Sequence, residues 1–571
     1  MNNQTISAVE FPGRRRALLF GLFSSMALLV GRAIELHLFD TEFLQKKAGY
    51  QYVSAVSMAA YRGKILDRHG EPLAISAPVH SVWIDPQQFV TDPNSRKKLA
   101  QALKVSPERL DRLTPDKSSK KFVYVKRRIT PALQKKVASM KLPGVFFKRE
   151  YKRYYPAGEV TSHLIGFTNI DDVGQEGVEL SFQTQLNGRE GRKTVIRDGK
   201  RKAVSDIEKT REPVPGSDLA LTIDQRVQYI AYRELKSAFI KHRAHSASLV
   251  VVDARTGHLL AMVNQPSYNP NSPKKQDRAN YRNRAITDVF EPGSTMKPFA
   301  VACALENGTL RPDSVIDTNP GIFRVGPNLV RDIHNYGVLD VARILQKSSN
   351  VGVSKLALSV SPDLFLDCYN RLGFGQHPGT GFPGEAAGKL PGYENLSPFE
   401  QATLSFGYGL SGSAVQLARA YTALANDGEM PQVQLVKGVP NVKPVRVMSK
   451  ETAKIVREML ELVVSREGTA LRASVPGFRI SGKTGTVKKV GAGGYSDNRY
   501  MAVFAGMAPA SRPKIVMVVV VDEPETGGYY GGLVAAPVFS RVMDSVLRLL
   551  GIQPDREQSM PFFQYDPDGT I

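Results

Sequence analysis

Three consecutive arginines, Arg14, Arg15 and Arg16, stand directly before an uncharged run from Ala17 to Gly31, ALLFGLFSSMALLVG. Basic residues abutting an apolar run dictate a membrane element before anything else about the fold is decided. The run of 15 residues is shorter than the roughly 20 needed to cross a bilayer. Arg32 can snorkel, however, and Ala33, Ile34, Leu36 and Leu38 extend the apolar face. A cleaved signal peptide would also be short and basic at its start, but no small-x-small cleavage site follows at once. The segment therefore reads as an uncleaved signal-anchor over residues 17–39, with 1–16 as a cytoplasmic tail. Everything after about residue 40 is then expected on the far side of the membrane.

A chain of 571 residues is too long for one core, so two or more domains are expected. With 42% hydrophobic and 23% charged residues, the bulk of it is ordinary globular protein. Lys and Arg outnumber Asp and Glu by 76 to 54, a net charge of +22, which suits an anionic neighbour without choosing one. Nucleic acid is disfavoured. The basic residues are spread thinly, and there is no zinc-finger spacing, aromatic ribonucleoprotein motif or basic heptad run. The only cysteines, Cys303 and Cys368, fall in apolar helical text and are expected as buried thiols, which leaves no disulfide framework and no Cys-based metal site. The nine His residues show no ligand spacing, so no metal and no organic cofactor is expected.

Residues 40–215 are charged and broken by Gly and Pro, with short β-like runs at Val82–Ile84 and Phe122–Val125 and helical periodicity at Asn94–Leu103 and Thr130–Met140. This is expected to be an extended α+β pedestal. A second domain, 216–552, precedes a polar tail, 553–571. It opens with a helical segment, Gln225–Lys241, and then SASLVVVDARTGHLLAMV, which reads as a hairpin turning at Ala254-Arg255-Thr256-Gly257. Three further β-like runs come around 478–488, 500–506 and 514–521, the last before a helix carrying Val538, Val542, Val546 and Leu550. Two strands before a mainly helical block and three after it predict one five-stranded antiparallel sheet covered by helices, an α+β fold.

Three short strings stand out in that domain: Ser294-Thr295-Met296-Lys297, Ser348-Ser349-Asn350 and Lys483-Thr484-Gly485-Thr486. Each alone is weak, since S-x-x-K also describes any helix surface with an exposed lysine. The setting of the first raises it. Glu291-Pro292-Gly293 precedes it and the apolar run Pro298–Leu305 follows, which puts Ser294 at a helix start with Lys297 on the same face. A serine hydroxyl attacks only when a neighbour takes its proton. Lys297 can do so if burial and a second cation, Lys483, depress its pKa from about 10.4.

In this order the three strings match S-x-x-K, S-D-N and K-T-G, a known signature of class A β-lactamases and penicillin-binding proteins, with Ser349 in place of the Asp. The chain resembles a class B penicillin-binding protein of the division-septum type along nearly its whole length. The likeness extends to Arg62-Gly63-Lys64-Ile65-Leu66-Asp67-Arg68-His69-Gly70, Arg153-Tyr154-Tyr155-Pro156, His163-Leu164-Ile165-Gly166-Phe167-Thr168 and Gly174-Gln175-Glu176-Gly177-Val178-Glu179 in the pedestal.

The resemblance implies a peptidoglycan D,D-transpeptidase in the inner membrane, with its catalytic domain in the periplasm. Ser294 would attack a D-Ala-D-Ala stem peptide and Lys297 would accept its proton. Ser348 would relay protons between the lysines and the leaving nitrogen, and Asn350 would orient Lys297 and the substrate amide. Lys483, Thr484 and Thr486 would hold the substrate carboxylate. The backbone N–H groups of Ser294 and Thr486 would hold the oxyanion. Gly485 is expected to let substrate approach the strand closely. An amine on a neighbouring stem peptide would resolve the acyl-enzyme, and β-lactams would stall it. Implied partners are the membrane, a polytopic septal glycan polymerase and other division proteins.

Rival readings are weaker on particular features. A β-lactamase or D,D-carboxypeptidase has no use for an anchor and long pedestal, and a bifunctional enzyme would need a glycosyltransferase motif that residues 40–215 lack. A silent scaffold or β-lactam receptor is opposed by three intact motifs. An elongation-type class B enzyme differs only in family likeness, which here favours the septal type around Gln346–Gly352 and Gly174–Gly177.

Overall fold

The hairpin expected from SASLVVVDARTGHLLAMV forms as two antiparallel strands, β1 (Ser246–Asp253) and β2 (Leu259–Gln265), with Asp253 accepting from the N–H groups of Arg255 and Thr256 in the turn. The computed structural model describes residues 12–39, 41, 53–89, 92–113, 120, 122–197, 203–272, 278–392, 396–438, 442–491 and 494–556. Of the two expected tails, 1–11 and 557–571 lie outside the described residues. Contacts divide the chain into two units, one of residues 1–60 with 188–215, the other of 61–187 with 216–571.

In the larger unit, the chain in order contributes α2 (Gln225–His242), β1 and β2, α3 (Lys297–Glu306), α4 (Val341–Lys347), α5 (Asn350–Leu358), α6 (Pro362–Arg371), α7 (Ala414–Ala425), β3 (Ser481–Gly491), β4 (Gly494–Ala508), β5 (Ile515–Asp522) and α8 (Gly531–Leu549). The five strands form one antiparallel sheet in the order β2-β1-β5-β4-β3. Val518 faces Val250 and Val520 faces Val503 across its centre. Every residue of β5 is buried, so its valine run serves two covered faces rather than one. Helices α2 and α8 pack on each other and on the sheet, and α7 packs on β1 and β5. The tail begins docked: Asp555 accepts from Arg479 N at 2.7 Å and Ser511 N at 3.0 Å.

The same unit carries a second sheet in which Pro72–Ile84 pairs antiparallel with both Val123–Ile129 and Val145–Tyr154. Helices Pro93–Leu103 and Pro131–Ser139 start on Asp92 and Thr130, whose side chains accept from the first-turn N–H groups of Ser95 and Leu133. Their apolar faces close a small core around Val82, Ile84, Leu99, Leu103 and Val137. Three of the strings noted above meet nearby in one buried ion cluster. The Glu179 carboxylate accepts from Arg62 Nε at 2.5 Å and Arg153 Nε at 2.6 Å, with all three side chains at most 1% exposed. Arg62 also donates to the carbonyls of Glu179 and Asp172 and to Gln183 Oε1.

In the smaller unit, Val53–Met58, Gly191–Arg197 and Ala203–Arg211 form an antiparallel sheet with the middle strand drawn from 191–197. Its α1 (Pro12–Ile34) begins at a proline, tolerated there because the first N–H groups of a helix have no partner. The helical stretch Pro12–His37, 26 residues, is long and apolar enough to cross a membrane, and none of its residues is buried. Near the end of that stretch Arg32 donates to Glu35 at 2.6 Å, so two charges there are paired.

The Glu179 cluster generates a direct prediction. Glu179→Ala leaves two buried guanidinium groups without their anion and should lower stability by about 3–5 kcal/mol. A urea melt of the purified protein checks this, and a loss below ~1 kcal/mol would show the cluster to be dispensable.

Candidate functional site

Ser294 lies in a tight 3₁₀ turn, Gly293–Met296, that runs into α3. The turn is held from three sides. Thr295 Oγ1 donates to the Pro292 carbonyl at 2.7 Å, Tyr421 of α7 donates its hydroxyl to the Thr295 carbonyl at 2.8 Å, and Gly293 N donates to Gly407 O at 3.1 Å. Gly293 has φ +58°, and a Cβ there would sit 2.5 Å from Val487 Cγ2, so both backbone and space demand glycine. Ser294 itself is half-buried, while Thr295, Met296 and Lys297 are buried.

Lys297 points away from bulk water into a polar cluster. Its Nζ donates to Asn350 Oδ1 at 2.7 Å, Ser348 Oγ at 3.1 Å and the Ser348 carbonyl. From β3, Lys483 Nζ donates to the same Ser348 Oγ at 2.9 Å and lies 3.3 Å from the Thr484 carbonyl. Five of the expected residues, Lys297, Ser348, Asn350, Lys483 and Thr484, thus meet around one hydroxyl. Ser348 reaches it by closing α4 in the left-handed conformation, φ 59° and ψ 41°. This is an uncommon state for a residue with a side chain, costing of order 1–3 kcal/mol.

Both lysines are fully buried, and this governs their charge. Desolvation holds Lys297 well below the usual lysine range, and the neighbouring Lys483 lowers it further, while Asp332 pulls it back up. Desolvation brings Lys483 down to about 7. Two ammonium groups sharing one hydroxyl in a dry pocket are poorly tolerated, which favours the neutral amine at one of them.

Asp332 is a residue of the site that motif reading missed. Its carboxylate accepts from Ser349 Oγ at 2.6 Å, Asn350 N at 2.5 Å and Val351 N at 3.1 Å, an anion at the start of α5 where the helix dipole favours one. Ser349 Oγ in turn accepts from Gly352 N at 2.8 Å. The Asp missing from the S-D-N string is therefore answered by a carboxylate from the loop before it. Two further partners escaped notice: Thr469 Oγ1, 2.9 Å from Thr484 Oγ1, and Tyr421.

Along β3 the pleat separates the roles. Lys483, Gly485 and Val487 share one face, and Thr484 and Thr486 share the other. Thr486 Oγ1 accepts from Gly531 N at 3.0 Å, at the start of α8. A Cβ at Gly485 would lie 2.9 Å from the Pro292 carbonyl and 3.1 Å from Thr295 Cγ2. The glycine expected to clear a path for substrate thus clears one for the turn that carries Ser294. Among the described residues, no group of three or more His, Cys, Asp or Glu side chains could hold a metal ion.

The family model for the penicillin binding protein transpeptidase domain matches residues 247–544, and that for the penicillin-binding protein dimerisation domain matches 57–221. Peptidoglycan D,D-transpeptidase FtsI of Escherichia coli K12 is 41% identical over 552 residues, 96% of this chain and 93% of that one. The chain belongs to the class B penicillin-binding proteins. A second relative, the probable peptidoglycan D,D-transpeptidase PenA of Neisseria meningitidis, is 40% identical over 95% of this chain and 94% of its own length. Among solved structures, the transpeptidase domain of Burkholderia pseudomallei penicillin-binding protein 3 is 44% identical, covering 59% of this chain and 98% of that one at a TM-score of 0.55. Penicillin-binding protein 3 of Mycobacterium tuberculosis, complexed with aztreonam, is 27% identical over 88% of this chain and 98% of that one at a TM-score of 0.70. As a class B penicillin-binding protein of the FtsI and PenA type, the chain is a peptidoglycan D,D-transpeptidase.

Asp332→Asn should weaken this enzyme without touching a motif residue. Losing one charge-assisted hydrogen bond near the lysine pair corresponds to about a tenfold drop in transpeptidation rate. Because Asp332 raises the Lys297 pKa, its loss should also move the acidic limb of the pH–rate profile to lower pH. Steady-state release of terminal D-Ala across pH measures both, and an unmoved acidic limb would sever Asp332 from Lys297.

Proposed function

We propose that the chain cross-links peptidoglycan stem peptides during septal wall synthesis, through an acyl-enzyme on Ser294 that β-lactams trap. The observation that carries this reading is the convergence of Lys297 and Lys483 on Ser348 Oγ, beside the turn that holds Ser294. Ser294 Oγ attacks the carbonyl of the penultimate D-Ala while Lys297, as the free amine, takes its proton. The backbone N–H groups of Ser294 and Thr486 stabilise the oxyanion, a type of interaction worth roughly 10²–10³ in rate per donor. Ser348 passes a proton to the departing nitrogen, terminal D-Ala leaves and an ester remains. The amine of a neighbouring stem peptide then attacks that ester, gives up a proton through the same groups and restores the Ser294 hydroxyl.

Asn350 holds Lys297 in place and orients the substrate amide. Lys483 in its charged form, with Thr484 and Thr486, receives the substrate carboxylate. Residues 40–215 act as the pedestal for a transpeptidase domain of 216–552. The apolar helix anchors the chain in the inner membrane, N-terminus in the cytoplasm and catalytic domain in the periplasm. There it works beside a polytopic septal glycan polymerase and other division proteins. The 41% identity to an FtsI over nearly the whole chain supports the septal assignment, and the aztreonam complex of a 27%-identical relative supports β-lactam binding.

Fluorescent penicillin should label the purified protein stably, and Ser294→Ala should abolish the label. Wild-type protein that stays unlabelled would overturn the acyl-enzyme reading, and a label that turns over rapidly would replace the transpeptidase reading with that of a β-lactamase. A fluorescent fusion should gather at mid-cell, whereas uniform lateral-wall signal would remove the septal role.

The lysine pair also sets a pH profile. The second-order acylation rate reports the free enzyme, so it should rise as Lys297 loses its proton and fall again near pH 7 as Lys483 loses the charge that attracts the carboxylate. In Lys483→Arg the cation persists, and the alkaline limb should move up by several pH units whatever the maximal rate. An alkaline limb still near 7 in that variant would assign the limb to another group.

A further inference from the structure

Cys303 and Cys368 are far apart in sequence but meet in the fold. Cys303 lies on α3, two turns beyond Lys297, and Cys368 lies on α6, which packs against α3. Both line a small cavity of about 10 Å³, together with residues that include Phe299, Ala302, Leu372 and Met448. Asn307 binds at both positions: its Nδ2 donates to the Cys303 carbonyl at 2.8 Å and to Cys368 Sγ at 3.9 Å. Asn307 and the shared cavity thus place the two side chains side by side, and no other sulfhydryl exists in the chain.

The two differ in what surrounds them. Cys303 is 3% exposed, whereas Cys368 is only half-buried, contrary to the expectation of two buried thiols. Burial raises the Cys303 pKa, while the hydrogen bond from Cys303 lowers that of Cys368. Cys368 is therefore the thiol able to react first.

We propose that Cys303 and Cys368 form a redox-sensitive disulfide that ties α3, which begins at Lys297 directly after the Ser294 turn, to α6. The Cys368 thiolate attacks a disulfide of an oxidant of the thiol–disulfide exchange class, and one oxidant sulfur leaves as a thiolate. The Cys303 thiolate then attacks Cys368 Sγ in the mixed disulfide, expels the second oxidant sulfur and closes the bond. Two protons and two electrons leave the protein, and the oxidant disulfide becomes a dithiol. In the cell this rests on the proposed periplasmic location, where such oxidants keep disulfides formed. A bridge closing so long a loop restricts the unfolded chain and so stabilises the folded one.

With only two thiols in the full chain, gel shifts with a maleimide-linked polyethylene glycol read the state completely. Protein from acid-quenched cells should take no additions before reduction and two after. Two additions without reduction, in cells where a C-terminal alkaline phosphatase fusion is active, would overturn the disulfide while leaving the location intact. An inactive fusion would overturn the location instead. The bridge is then judged on the purified full chain in glutathione buffers, where both thiols should disappear together on oxidation. Thiols that stay free there would overturn the proposal directly. Cys368→Ser should keep penicillin labelling of Ser294 but lose it at a lower temperature than oxidised wild type. Equal thermal loss in the two would show that the bridge does not brace α3.

Discussion

Two lysines donating to one serine hydroxyl in a water-poor pocket is the constraint on which the rest of the structure depends. Neither Lys297 nor Lys483 is solvated, and the charge of Lys483 disfavours that of Lys297. That arrangement is costly to fold, since a buried ammonium group without a carboxylate partner forfeits its hydration. The surroundings compensate with fixed dipoles: the Ser348 carbonyl, Asn350 Oδ1, the Thr484 carbonyl and, one step back, the Asp332 carboxylate. The left-handed Ser348 belongs to the same compromise, because that conformation brings both its carbonyl and its hydroxyl to Lys297.

The scaffold supplies these groups from distant parts of the chain. Ser294 comes from the turn before α3 and Lys297 from its first residue, Ser348 and Asn350 from the α4–α5 junction, and Lys483 from an edge strand of the large sheet. The sheet can hold them in register because its central strands are buried on both faces and locked by paired valines, with α2 and α8 packed on it together. In the same unit, the Arg62–Glu179–Arg153 cluster ties together three separate stretches of chain. Its geometry gains in specificity what a buried ion cluster gives up in desolvation.

What was legible in the sequence follows from locality. The hairpin at 246–265, the helix at 225–242 and the late valine strands announce themselves through contiguous residues, and the reactive serine and lysines sit in short strings. The hairpin Ile322–Val325 with Asn328–Arg331 did not, because its strands are four residues long and mostly exposed, with no apolar alternation to read. The Pro72–Ile84 strand was seen only at its end, since Pro78 and the polar residues around it break the period of two. Asp332 was illegible for a different reason. A carboxylate that caps a helix from a loop 17 residues upstream carries no local mark, and nor does the meeting of two cysteines through separate helices.

The contact of Gly485 with the Ser294 turn has a consequence for how the site ages under mutation. Strand and turn approach so closely there that a Cβ would fall 2.9 Å from the Pro292 carbonyl and 3.1 Å from Thr295 Cγ2. A single added methyl group at that position would therefore push apart the strand that carries Lys483 and the turn that carries Ser294, whereas side chains elsewhere in the cleft have room to repack.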